Sequence, residues 1–151
     1  MRIVLQKVSQ ASVTVDSQII SNIKHGYMLL VGISIDDTIE DIKKLSNKVL
    51  TLRLYDDNEN SAMWKQNIQE AQGEILSVSQ FTLYARTKKG TKPDFHLAQK
   101  GHIAQDLYNE FLLQLRGKLG DDKVQDGKFG AMMSCALTNE GPVTIILDSN
   151  N

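Results

Sequence analysis

From its amino end the chain first alternates. Ile3, Leu5, Ala11, Val13 and Val15 are apolar on odd positions, with Gln6, Ser12 and Thr14 opposite, the period-2 signature of a half-buried strand. The polar stretch Lys7 to Gln10 interrupts it and predicts a bend or bulge midway. Ile19-Ile20 comes next, and then Tyr27-Met28-Leu29-Leu30-Val31-Gly32-Ile33, a nearly continuous apolar run introduced by His25-Gly26. A run so short predicts a central strand covered on both faces. At Asp37 the period changes. Asp37-Thr38-Ile39-Glu40 resembles a capping box, with Asp37 placed to accept from the Glu40 amide. Ile39, Ile42, Leu45, Val49 and Leu52 then recur three or four apart, predicting a helix to about Arg53 whose lysines face solvent.

Asp56 to Asn60 is turn-rich, and residues 62–72 show no clean period, so their state stays open. Glu74 to Tyr84 is rich in β-formers and predicts a strand with a kink near Ser79. Ile103, Leu107, Phe111, Leu115 and Leu119, widened by Tyr108 and Leu112, predict a second helix from about His102 to Lys118. Phe129, Ala131, Met133, Cys135 and Leu137 alternate again. A turn at Asn139-Glu140-Gly141-Pro142 separates them from a last strand, Val143 to Leu147. The pattern predicts one α/β domain over residues 1–151, mostly strands with two helices on them.

Composition narrows the partners. Seventeen Lys plus Arg against eighteen Asp plus Glu give a formal charge of −1, so any nucleic-acid contact is local rather than a general coating. No apolar run reaches the ~18 residues of a membrane-crossing helix, and the opening residues lack the apolar core of a signal peptide. A cytoplasmic protein is expected. The one cysteine, Cys135, has no disulfide partner and shares a strand face with Phe129, Met133 and Leu137, which predicts an inert core thiol. No CxxC or HxxxH pair starts a metal site, and no cofactor is expected.

Candidate chemistry is sparse. His25, His96 and His102 are the only imidazoles, and none sits in a triad motif that would activate a serine or threonine. Arg86, Lys88, Lys89 and Lys92 place four cations within seven residues beside Gly90 and Pro93. Such a run is either a solvated loop or a phosphate contact; four neutralised phosphates imply a salt slope of only about −3. Ser79-Gln80-Phe81-Thr82-Leu83 is by itself a strand with polar alternation, and Asn139 to Thr144 by itself a hairpin.

As a pair, these two stretches resemble the signatures of the D-aminoacyl-tRNA deacylase family, Ser-Gln-Phe-Thr-Leu and Asn-x-Gly-Pro-Val-Thr. The resemblance extends to Met1 to Val8, Ala11 to Val15, Lys88 to Phe95 and Phe129 to Met132. One departure lies at His96 to His102, where the family often has a Pro-containing acidic segment. The resemblance implies a mixed, curled, barrel-like β-sheet with two main helices. It also implies hydrolysis of the ester in tRNA charged with a D-amino acid or glycine, by a homodimer. Ser79, Gln80, Phe81 and Thr82 are the implied catalytic segment, with backbone N–H groups near Gln80, Phe81 and Thr82 receiving the oxyanion and the terminal 2′-hydroxyl helping to activate water. Thr82 as a nucleophile is the older alternative. The resemblance further implies that Gly141 and Pro142, joined by a cis peptide bond, reach into the partner's pocket and reject L side chains. It would also place Phe129 with Phe81 as a stacking wall for adenine and Arg86, Lys88, Lys89 and Lys92 against phosphates. Two readings compete: a non-catalytic nucleic-acid-binding module using the basic loop, and a general esterase using Thr82 or Ser79.

Overall fold

The computed structural model describes all 151 residues. Strand β1 spans Arg2–Val15, β2 Gln18–Ile23 and β3 Gly26–Gly32. Helix α1 spans Ile39–Thr51, β4 Glu74–Ser79, α2 Gly101–Leu119, β5 Val124–Asp126 and β6 Ser134–Asp148. The long β1 organises the sheet. Its first half pairs antiparallel with β3, from Arg2 opposite Gly32 to Val8 opposite Gly26, and its second half with β2, from Ala11 to Val15. Along its other edge β6 runs antiparallel beside both halves. The order β2-β1-β3-β4-β5, with β6 against β1, makes a mixed sheet because β3, β4 and β5 are mutually parallel. The sheet curls into a nearly closed barrel-like shape carrying two helices.

Burial along β1 shows how the curl arises. Ile3 and Leu5 are buried on odd positions, Val8 is buried on an even one, and Ala11, Val13 and Val15 return to odd. The phase slips where Lys7 to Gln10 predict it, and the pairing with β6 shifts register on both sides of Val8. Two cores result. Ile3, Leu5, Tyr27, Leu29 and Val31 face the helices, meeting Ile42, Leu45 and Val49 of α1 and Tyr108, Phe111, Leu112 and Leu115 of α2. Val8, Ala11, Val13, Val15, Ile23, Met28, Leu76 and Val78 fill the interior of the curl. Alternation along β3 feeds both, which is why its sequence is apolar throughout. At its start Gly26 takes φ +152°, and a Cβ there would lie 1.8 Å from the Glu74 carbonyl oxygen, so only glycine permits this approach of β3 to β4.

Several expectations change. The capping box sits one residue later: Thr38 is the N-cap and its amide donates to Asp41 Oδ2 at 2.8 Å. Asp37 instead accepts from the Ser34 amide at 2.7 Å and pairs with the Met1 amino group. The buried face of α2 is Ala104, Tyr108, Phe111, Leu112 and Leu115, while Ile103 is half exposed, so the stripe is rotated toward Tyr108. The strand from Glu74 stops at Ser79, and Phe81–Tyr84 form a 3-10 turn. Residues 62–72 are turns pinned by a Tyr55–Gln66 bridge and by fully buried Ile68.

The largest corrections concern β6. The strand begins at Ser134, not Phe129, and runs to Asp148 without a hairpin. Asn139 pairs with Val8 and Thr144 with Gln6, so the residues between them bulge out of a continuous edge strand. A hairpin would need a partner strand, whereas both arms of β6 already pair with β1. Cys135 is exposed rather than a core thiol, because only β1 flanks β6 and nothing covers it.

Candidate active site

A cavity of about 450 Å³ opens at the carboxyl ends of the parallel strands β3 and β4, where ligands of open α/β sheets commonly sit. Val31 and Ile33 form its floor, Ser79-Gln80-Phe81 one wall, and Phe129-Gly130 another. The segment from Phe95 to Gly101 closes the third side. Most of the lining is apolar, with a few polar groups at the rim, as expected of a site for a ring system.

The chain turns at Ser79 because β4 ends there. The Gln80 amide donates to the Val31 carbonyl at 2.7 Å, continuing the ladder one residue past the strand. Leu83 N–H then returns to the Gln80 carbonyl at 3.2 Å and Ala85 N–H to the Thr82 carbonyl at 3.0 Å, winding the 3-10 turn. The Arg2 guanidinium donates to the Leu83 carbonyl at 2.8 Å while stacking over Tyr84, which ties the turn to β1. Of the three expected amide donors, that of Gln80 is therefore already engaged. Those of Phe81 and Thr82 begin the helical turn and have no partner within it.

Four residues expected at the site line this cavity: Ser79, Gln80, Phe81 and Phe129. Thr82 stands just outside the lining, exposed, its hydroxyl accepting from Gln80 Nε2 at 2.5 Å. No imidazole reaches it. His25 contacts the Ala71 carbonyl at 2.9 Å, His96 pairs with Asp94, and His102 lies exposed in the first turn of α2. An amide cannot accept the hydroxyl proton, so the threonine lacks the base a nucleophile needs.

Gly141 and Pro142 do not line this cavity. They are exposed on the β6 bulge, joined by a cis peptide bond, with Gly141 at φ +121°. The bulge is held by its own residues: Asn139 Oδ1 accepts from the Val143 amide at 3.1 Å and Asn139 Nδ2 donates to Thr144 Oγ1 at 2.8 Å. Arg86, Lys88, Lys89 and Lys92 are all exposed on a loop closed by an Arg86–Asp94 bridge, and none of the four makes a salt bridge.

Sequence reasoning missed one whole wall. Phe95 meets Phe81 edge to face at 5.1 Å, and Ala98, Gln99, Lys100 and Gly101 continue from it. This is the segment where the chain departs from the family pattern, and its position between the basic loop and α2 was the available signal. Also unforeseen is Tyr108, whose hydroxyl lies 3.0 Å from Ser77 Oγ and 2.6 Å from Asp126 Oδ1 beneath Phe129. Burial, followed by the Asp126 charge, raises the phenol well above its ordinary value; burial also raises the Asp126 carboxyl. No group of three or more His, Cys, Asp or Glu is placed to hold a metal ion.

A curled mixed sheet with an aromatic cavity at the end of its parallel strands and a tight turn presenting amides beside it is a site suited to a ligand that carries a ring system. Comparison with known proteins makes this particular. The profile of the family described as D-Tyr-tRNA(Tyr) deacylase matches residues 4–148, and the chain belongs to that family. It is 75% identical over 150 residues to a D-aminoacyl-tRNA deacylase of Saccharomyces cerevisiae, covering 99% of each chain. It is 50% identical over 151 residues to one of Flavobacterium psychrophilum, covering 100% of this chain and 99% of that one. Among solved structures it resembles the c-Myc DNA Unwinding Element Binding Protein, at TM-score 0.92 and 45% identity over 98% of both chains. A probable eukaryotic D-amino acid tRNA deacylase shares the fold, at TM-score 0.84 and 20% identity over 97% of both chains.

Proposed function

We propose that the protein hydrolyses the ester of D-aminoacyl-tRNA, and of glycyl-tRNA, to free tRNA and amino acid. It works as a cytoplasmic homodimer whose role is chiral proofreading, with residues 1–151 acting as one domain. The observation that carries this reading is the cavity itself, which joins Ser79-Gln80-Phe81 to Phe129 and leaves Thr82 without a base. The terminal adenosine stacks between Phe81 and Phe129, and the ester carbonyl points at the Phe81 and Thr82 amides. Water adds to the carbonyl carbon, the oxyanion is received by those amides, and the bond to the 3′ oxygen breaks as that oxygen takes a proton. The substrate's own 2′-hydroxyl helps to activate the water. Preorganised donors of this kind are worth about 3 kcal/mol each.

The bulge supplies selection. Gly141 and Pro142 lie away from their own cavity and are exposed, as a segment that completes a second copy's site must be. Their carbonyls accept from the substrate amino group and leave no room for an L side chain, while glycine, having none, passes. The unpaired Arg86, Lys88, Lys89 and Lys92 take phosphates of the acceptor end. Release of D-tyrosine against L-tyrosine from matched charged tRNA tests the proposal; equal rates contradict it.

A second reading is favoured by the neighbour named a DNA unwinding element binding protein, together with the exposed basic loop: a nucleic-acid-binding module without catalysis. A formal charge of −1 and a cavity of ring size speak for the enzyme.

A further inference from the structure

We propose that Tyr108 is a positioning residue that sets the width of the cavity by clamping together the two strands from which its walls diverge. The inference rests on the reading that the cavity holds the terminal adenosine. The β4–β5 ladder runs from Ile75 opposite Val124 to Ser77 opposite Asp126 and ends there. Past that pair the strands separate. Two residues after Ser77 the chain becomes the Ser79-Gln80-Phe81 wall, and three after Asp126 it becomes the Phe129-Gly130 wall. The Tyr108 hydroxyl, on a side chain 1% exposed, bridges the last ladder pair, touching Ser77 Oγ and Asp126 Oδ1. The Gly127 amide adds a 3.0 Å bond to the Ser77 carbonyl at the same fork.

The ring does the rest. Its centroid lies 5.9 Å from that of Phe129 at 40°, so the residue whose hydroxyl ties the fork also supports the aromatic wall above it. A hydroxyl-to-carboxylate bond out of water is stronger than a neutral one; the phenol gives its one proton to Asp126 and accepts from the Ser77 hydroxyl, so removing the oxygen costs both partners a bond. Loosening the fork changes how well the walls grip a base. It leaves alone the Phe81 and Thr82 amides, whose position is held from the other side by Val31 and Arg2. Tyr108 therefore acts on KM and not on the chemical step.

Steady-state hydrolysis of D-tyrosyl-tRNA by Tyr108→Phe, Asp126→Ala, Asp126→Asn, Ser77→Ala and Phe129→Ala tests this. Tyr108→Phe and Asp126→Ala should each raise KM about tenfold with kcat within about twofold of wild type, the size of one charge-assisted bond. Asp126→Asn keeps an acceptor oxygen but not the charge and should raise KM by less than Asp126→Ala. The double variant Tyr108→Phe/Asp126→Ala should be no worse than either single one. Ser77→Ala, a minimal change, should raise KM by a smaller factor and stands in if Asp126→Ala fails to fold. An unchanged KM in Tyr108→Phe beside a raised KM in Phe129→Ala overturns the clamp and spares the adenosine reading. An unchanged KM in Phe129→Ala overturns that reading, and the clamp with it. A fall in kcat and melting temperature shared by Tyr108→Phe and Asp126→Asn marks a merely structural role and also overturns the clamp.

Discussion

The two motifs that carry the family resemblance are held in opposite ways. Ser79 to Leu83 is fastened by the rest of the protein: Val31 takes the Gln80 amide, and Arg2 supports the Leu83 carbonyl. Asn139 to Thr144 is fastened by itself, through the two bonds of the Asn139 side chain, and stands exposed on an edge strand. On the proposed reading the first is machinery fixed in its own subunit and the second a probe presented to a second copy, so that the pocket would be complete only when two copies meet.

The sharpest way to break this contrast is at the chemical step. If the reaction is run by fixed amides and the substrate's own hydroxyl, as proposed, a tRNA ending in 2′-deoxyadenosine should be cut about a thousandfold more slowly, several kcal/mol of lost proximity. Thr82→Ala, whose amide remains, should stay within about tenfold of wild type. Rapid single-turnover cleavage of the deoxy substrate would reverse the assignment. Next in size is the demand for two copies: on dilution through the monomer–dimer range, followed by light scattering, specific activity should fall with the dimer fraction. Full activity in a monomer removes the cross-subunit role of Gly141 and Pro142.

Smaller effects sharpen the comparison. Asn139→Ala unties the bulge from itself, so discrimination between D and L esters should drop about tenfold, while stability changes by about 1 kcal/mol, the worth of one or two exposed bonds. Unaltered discrimination would mean that the bulge needs no internal support. Replacing Lys88, Lys89 and Lys92 by Ala should lower the salt slope of tRNA binding by about 2 to 3 and spare single-turnover rates, because phosphate contacts position rather than react. A binding curve unmoved at low salt would leave the loop as a solvated surface.

The smallest expected effect concerns Asp126. Burial raises its carboxyl above the ordinary range, so the contribution of this group to stability is present below the unfolded value and is lost as pH rises through the folded one. Asp126→Asn stays neutral throughout. Its stability relative to wild type should therefore improve as pH rises above the ordinary carboxylate value of about 4, read by urea titration at each pH. A difference that stays constant with pH would contradict the raised carboxyl.

Much of this protein was legible in its sequence because the signals are local. The alternation of β1 with its midway bulge, the apolar β3 and the stripe of α1 follow from side chains that must be buried a fixed number of residues apart, and the stripe of α2 does so once it is rotated toward Tyr108. The pairing of two short motifs was likewise readable residue by residue. What escaped depends on which segments meet. Nothing between Phe129 and Leu147 distinguishes two strands and a turn from one strand with a bulge; that depends on β1 pairing with both arms. Tyr108 reads as one apolar position among many until Ser77 and Asp126, far away in sequence, end their ladder against its hydroxyl. Phe95 to Gly101 has no period of its own and becomes a wall only because α2 begins where β3 and β4 end. Periodicity determines what each segment buries, whereas long-range pairing decides which groups converge, and a site is made of the second kind of information.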